Sequence, residues 1–328
     1  MNFRLHRFVG PALMTFLVGM LCLGAPVARA QQPPQQGFAV ERFYPSAPGG
    51  GWFVMDDLDL EGKLAGAIAL ASGYARNPLV LKSADGTQRL PLVSGEAFVN
   101  VGFAVSYDRF RVYLDLPIPV VVNGTGGTLG PYRFNAPSVS TGNNPDTISD
   151  TRLGFDIRLL GKPGGSFRLG AGGQVIFPSG ERFDYVTDRR YRAMFRVLTA
   201  GDIGPYLYAA QLGVHLRPGN TLAVLDIPNG NEFLFGASAG RRFSMGSSWD
   251  FIVGPEFYGE TAVRSFSSGQ TGSEVLLTTR FEGKSDGVHL RVKAGVGHAL
   301  VQHFGAPEWR VLVSVELIGR VAGRKGIR

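Results

Sequence analysis

Beyond residue 30 the chain has no cysteine, and its single Cys22 sits in an apolar leader. No disulfide frame can therefore hold the exported chain together, and no thiolate is available to a metal. The mature sequence has no stretch approaching the ~20 apolar residues that a spanning helix needs. Helical periodicity is nearly missing, and so is an excess of one charge. The formal net charge is +7, from 33 basic and 26 acidic residues. Removing the three arginines of the leader from the 33 leaves 30 against 26, a balance of +4 whose members alternate in sign along the chain. That pattern excludes a nucleic-acid footprint. No HExxH zinc motif occurs. The glycine clusters at 49–51, 124–127 and 170–173 open no helix, so a phosphate-cradling loop is excluded too.

What is present begins with a secretory leader over residues 1–30. Arg4 and Arg7 give a positive start, Ala12 to Leu23 an apolar centre, and Val27-Ala28-Arg29-Ala30 a small-x-small cleavage site. Pro11, Pro26 and the Gln/Pro tract at Gln31–Gln36 argue against a retained helix. Leu21 before Cys22 argues against a lipoprotein site. The 46 glycines are about twice average usage. Within strands they mark the bends and bulges that a curved, closed sheet requires.

Period-two alternation fills the rest. Trp309, Val311, Val313, Val315 and Leu317 share a face opposite Arg310, Ser314 and Glu316. Val288, Leu290, Val292, Ala294 and Val296 oppose His289, Arg291 and Lys293. The same reading predicts about twelve strands, near 64–75, 94–105, 109–122, 151–161, 165–177, 190–199, 203–217, 232–243, 248–260, 273–282, 286–299 and 308–319. Most reach the nine to eleven residues of a tilted membrane strand, about twice the usual soluble length. Pro117 and Pro119 fall inside the third; either the strand stops near Leu116 or a bulge sits there.

Alternation alone also fits a soluble sandwich. The connections separate the two. Short turns are predicted at Tyr107-Asp108, Lys162-Pro163-Gly164, Gly201-Asp202, Gly246-Ser247 and Lys284-Ser285. Longer connections near 76–93, 123–150, 178–189, 218–231, 261–272 and 300–307 alternate with them. Short periplasmic turns and long outer loops are the outer-membrane pattern. The predicted fold is therefore all-β: a transmembrane, antiparallel, up-and-down β-barrel over 63–319. It follows a periplasmic N-terminal segment over 31–62 and precedes a basic tail over 320–328. The even strand count places both mature ends on the short-turn side. Aromatics near strand ends (Tyr74, Phe98, Phe110, Phe177, Tyr191, Tyr206, Trp249, Phe257 and Trp309) are predicted to form interfacial girdles.

Glu41-Arg42-Phe43-Tyr44-Pro45-Ser46, Gly51-Trp52-Phe53, Tyr74-Ala75-Arg76-Asn77-Pro78-Leu79-Val80-Leu81, Asp150-Thr151-Arg152-Leu153-Gly154 and Phe177-Pro178-Ser179-Gly180 carry a resemblance. Together they resemble the N-terminal barrel of OmpA-type outer-membrane proteins of the myxobacterial kind, over roughly residues 38–319. The resemblance implies a barrel in the outer membrane. It does not extend to a peptidoglycan-binding domain, so tethering to the cell wall is not implied. The terminal Gly319–Arg328 lacks the final aromatic typical of barrels that end on their last strand.

The wet face is where function is expected. It is predicted to carry the lumen-lining set Arg111, Asp115, Arg152, Asp156, Arg158, Arg168, Arg192, Arg196, Glu256, Arg280, His289, Arg291, Lys293, Arg310 and Glu316. In one reading these charges pair and close the lumen. In the other, arginines line a water path favouring small anionic solutes. Phe38–Leu60, with Asp56, Asp57 and Asp59, is expected to be able to enter as a plug. No catalytic residue, metal ligand or cofactor is predicted. His215 and His289 sit among wet-face positions, and Asn143, Asn144, Asp146 and Asp150 lack EF-hand spacing. The expected partners are outer-membrane lipid and lipopolysaccharide and the barrel-insertion machinery. The competing readings are a barrel enzyme acting on lipid or lipopolysaccharide, and a soluble secreted β-protein.

Overall fold

The computed structural model describes residues 37–60, 64–83, 85–130, 132–140, 148–217, 230–263, 271–283, 287–303 and 305–320. The leader, the Asn143–Asp146 composition and the tail beyond Arg320 lie outside these residues.

Among the described residues fourteen strands follow one another: β1 (Ala65–Lys82), β2 (Arg89–Tyr107), β3 (Phe110–Asn123), β4 (Gly127–Leu129), β5 (Tyr132–Phe134), β6 (Thr151–Leu160), β7 (Arg168–Phe177), β8 (Arg192–Ile203), β9 (Tyr206–Leu216), β10 (Glu232–Met245), β11 (Trp249–Ala262), β12 (Thr271–Gly283), β13 (Val288–Val301) and β14 (Trp309–Arg320). Twelve of them form one closed antiparallel barrel in which each strand pairs with its sequence neighbours, β3 meets β6, and β14 returns to β1. β4 and β5 make a separate hairpin within the β3–β6 connection. Closure leaves no edge, so backbone amides in the wall are bonded within it.

The alternation sorts as the period requires. Val313 is 58% exposed, while its neighbours Leu312 and Ser314 are 2% and 3% exposed. Outward apolar side chains ring the barrel, among them Ile68, Leu70, Val112, Phe155, Val197, Leu212, Leu277 and Val296. An apolar belt of that extent is a liability in water and a match to hydrocarbon. The girdle pairs form at both rims. Tyr74 and Trp309 lie 5.3 Å apart, and Phe177 and Tyr191 5.8 Å apart, at the long-connection end. Phe251 and Phe281 lie 4.7 Å apart near the short turns. Phe98 is the exception: its parity in β2 turns it inward, where it packs against Phe43.

Two boundaries differ from the sequence expectation. β1 and β2 run on to Lys82 and from Arg89, so the expected 76–93 connection shrinks to residues 83–88, and Gly201-Asp202 stays in β8 while Gly204-Pro205 makes the turn. β3 continues through both prolines. A register shift falls opposite Ala97/Phe98, and the β6 ladder ends at Asp115↔Arg152. The Pro117 carbonyl faces Ser149, so the amide that proline lacks points to the side without a ladder.

Candidate lumen and its N-terminal segment

Inward positions of the wall meet residues 37–60 around the whole circumference. Glu256 of β11 accepts the backbone amides of Phe53, Val54 and Met55 at 2.8, 2.8 and 3.2 Å, and the Thr278 hydroxyl at 2.6 Å. Across the lumen Arg111 of β3 bonds both Asp56 and Asp156. Arg158 donates to the carbonyls of Leu58 and Leu60, and Arg168 to that of Asp57 at 2.7 Å. Lys293 donates to the Trp52 carbonyl at 3.0 Å and pairs with Glu316 at 2.6 Å. Higher up, Arg310 lies between Glu274 at 3.0 Å and Glu41 at 2.9 Å.

The wall is relieved where the segment presses. A Cβ on Gly236 would lie 2.3 Å from Met55 Cε, one on Gly240 2.5 Å from the Trp52 ring, and one on Gly295 2.9 Å from Phe53. Gly102 faces Pro48 and Gly170 faces Leu58 in the same way. Each glycine occupies an inward position of its strand, so the missing side chain is the socket. Phe43, Phe53, Phe98 and Tyr258 form an aromatic cluster inside, with centroids 5.9–6.4 Å apart.

The remaining charges of the predicted set are buried and paired within the wall. Arg152 bonds Asp115, Arg196 reaches Asp156 at 3.3 Å, and Arg192 meets Asp150 at 2.9 Å. Arg280 lies 3.2 Å from Glu282, and Arg291 bonds Glu282 and Glu316. His289 is half-buried near the short turns, its Nδ1 3.0 Å from the Gly283 carbonyl. Burying so many ions is tolerable because each guanidinium or ammonium has a carboxylate or carbonyl within reach.

A second group was not singled out by the sequence. Glu232, Glu260 and His215 place their ligand atoms within 4.8 Å of one another. Arg42 lies 3.1 Å from Glu232 and 3.4 Å from Glu260, and Arg217 lies 3.0 Å from Glu232. Two guanidinium groups already bring positive charge to these carboxylates, so the group reads as an ion-pair latch on Arg42 rather than a cation site. Its sequence signal was alternation: Glu232 opens a strand whose inward positions continue at Leu234 and Gly236. The string Gly236-Ala237-Ser238-Ala239-Gly240 spells a nucleophile elbow that the strand reading passes over. It lies mid-strand in β10, not on the strand-to-helix turn that such chemistry needs, and Ser238 pairs across the sheet with Glu256.

Two cavities flank the segment. One of about 480 Å³ opens at the short-turn mouth between Pro48, Asp59, Ser106, Asp250 and His289. One of about 60 Å³ lies nearer the long connections, between Phe43, Phe98, Asn100, Pro117 and Arg152.

Comparison with solved structures supplies the wider context. The chain matches an outer membrane channel from Pseudomonas putida F1 with a TM-score of 0.52 at 10% identity, covering 81% of this chain and 98% of that one. The NanC porin is matched with a TM-score of 0.46 at 6% identity, over 78% and 100% of the two chains. LpxR from Salmonella typhimurium gives a TM-score of 0.37 at 10% identity, over 77% and 100%. No family profile matches the sequence. No curated protein matches it either. The first likeness and the apolar belt agree on architecture: this chain folds as an outer-membrane β-barrel of twelve antiparallel strands.

Proposed function

We propose that this protein is a non-enzymatic barrel of the outer membrane whose lumen is closed at rest by residues 37–60. It acts as a narrow passive channel when that segment yields, and as a structural component of the membrane when it does not. The observation that carries the reading is the hold of Glu256 on three consecutive amides at the centre of the lumen. The segment seated in glycine sockets fills the middle of the lumen, the larger cavity lying at the short-turn mouth, and the arginines that would favour anions already have partners. Small anionic solutes belong to the open form only.

The enzymatic reading finds less support. His215 is committed to Glu232 and Glu260, His289 faces a carbonyl, and His298 points outward from β13. The closer kinship with OmpA-type barrels rests on the short motifs. One of them, Arg76-Asn77-Pro78, ties β1 to the last connection: Asn77 donates to Glu308 at 2.7 Å, and the Pro78 carbonyl accepts from Gly305 at 3.1 Å. Lipid and lipopolysaccharide around the belt, and the barrel-insertion machinery, complete the expected partners.

Planar-bilayer recording tests the proposal. The mature protein is expected to conduct little, and deletion of 38–60 to open a steady path, with heat-modifiable gel mobility showing that the shortened barrel still folds. A folded deletion variant with unchanged conductance would remove the plug from the account.

A further inference from the structure

We infer that residues 37–60 are a thirteenth crossing of the membrane, so that Gly37 stands at the long-connection rim, opposite Arg320. This rests on the membrane-barrel reading above.

The route is given residue by residue. Gly37 lies so close to the Arg182 carbonyl, in the 178–191 connection, that a Cβ would overlap it. The Ala39 amide donates to Asp188 at 3.0 Å, and the Val40 amide to the Tyr185 carbonyl at 3.0 Å, both in the same connection. Gly305, in the last long connection, presses on Val40 and Arg42. Arg42 then meets Glu232 and Glu260, at the long-connection ends of β10 and β11. Mid-barrel, residues 53–55 hold Glu256. At the other end Asp59 accepts from the Gly164 amide at 2.8 Å, in the short β6–β7 turn, and Ala65 starts β1 at that rim. Pro48 and Gly49 already reach the short-turn mouth, beside Gly102 and Ala67, and residues 51–55 turn back to mid-barrel before 56–60 descend again, so the net course from Gly37 to Asp59 is one passage from the long-connection rim to the short-turn rim.

A plug that entered from the periplasm and folded back would place Gly37 beside the short turns, as the even strand count suggested. Instead twelve wall strands and one luminal pass make an odd number of crossings. The crossing is stable without joining the ladder of the wall because its polar groups are met partly within the segment, where the Ser46 amide donates to the Phe53 carbonyl and the Asp57 amide to that of Gly50, each at 2.8 Å, and partly by the wall: three amides on Glu256, carbonyls on Arg158, Arg168 and Lys293, and carboxylates on Arg111 and Arg310.

The absence of cysteine after residue 30 makes the test direct. Single variants Gln36→Cys, Thr87→Cys and Ser247→Cys in the otherwise native chain are treated on intact cells with a membrane-impermeant maleimide, then again after permeabilisation, each checked for heat-modifiable mobility. Thr87 reports the long-connection side and Ser247 the short-turn side. Gln36→Cys is expected to label in intact cells like Thr87→Cys, several-fold above Ser247→Cys. Labelling that follows Ser247→Cys overturns the crossing, and so does protection from the reagent on both sides. If Ser247→Cys labels in intact cells and Thr87→Cys does not, the assumed orientation of the barrel fails. The crossing is then still decided by which of the two Gln36→Cys follows.

Discussion

Glu256 concentrates the energetics of the lumen in one side chain. Its carboxylate accepts three amides and a hydroxyl while fully buried in the middle of the lumen. Each buried donor left without an acceptor costs about 1–3 kcal/mol. Glu256→Ala is therefore expected to loosen residues 53–55 first, read as flickering conductance in bilayers before any loss of the folded barrel on gels. Gly236 is the complementary case. Gly236→Val places methyl groups where Met55 lies and should destabilise the full-length barrel by about 1–3 kcal/mol in urea titrations. In the chain lacking 38–60 the same substitution should cost clearly less, since the overlap with Met55 is gone while the 2.9 Å approach to the Phe257 carbonyl stays. An equal loss in both backgrounds would show that the glycine is needed for curvature rather than as a socket. In the exposed 83–88 turn, the Ser83 hydroxyl, then the Thr87 hydroxyl and amide, hold the Asp85 carboxyl down to about 2. A depressed carboxylate stabilises above its ordinary range near 3.8 and loses that contribution as pH falls toward 2. The turn should thus keep its order at pH 4 and above and lose it below, and Asp85→Asn should abolish that dependence in an NMR titration.

At the scale of elements, the strands were readable because a side-chain period of two leaves only two faces, and one of them must be apolar throughout. All twelve barrel strands fall on predicted segments. Where a strand ends was harder. β1 and β2 outrun the belt because their upper halves build a separate cluster, in which Leu79, Leu81, Leu92, Val93 and Val122 of the wall meet Leu129 and Phe134 of the β4–β5 hairpin, Phe38 and Val40 of the segment, and Tyr185 and Val186 of the β7–β8 connection. That cluster is assembled from distant segments, and no local period announces it. The prolines of β3 survive because β6 stops pairing at Asp115, a fact about a neighbour and not about β3. The facing itself is testable. Val313→Arg puts a charge on the belt and should cost about 2–4 kcal/mol of folding stability in lipid. A cost near zero would mean that this face does not meet hydrocarbon.

For the whole molecule, the question is what the closed lumen would become if opened. Residues 38–60 carry Glu41, Asp56, Asp57 and Asp59 against Arg42, so their removal shifts the lumen by three charges toward positive. Arg158, which bonds the segment carbonyls of Leu58 and Leu60, would then face water, whereas Arg168 loses the Asp57 carbonyl and keeps Asp202 at 2.7 Å. The deletion channel is expected to prefer anions in reversal-potential measurements, and Arg158→Gln to weaken that preference more than Arg196→Gln, because Arg196 keeps Asp156. Cation preference in the deletion channel would contradict this charge assignment.

The amino-acid order by itself determined the number of barrel strands, the facing of each strand and most of the sorting of short turns from long connections; the β4–β5 hairpin and the shortened 83–88 connection lay beyond it. These follow from local rules: period-two alternation, the cost of a charge in hydrocarbon, and turn residues at the right offsets. Only the tertiary structure decided who meets whom inside. Glu256 holds amides 201 to 203 positions away, Arg310 meets Glu41 across 269, and a segment without strand alternation runs through the lumen. Partners that far apart leave no period in the sequence, because their meeting depends on the barrel closing around them.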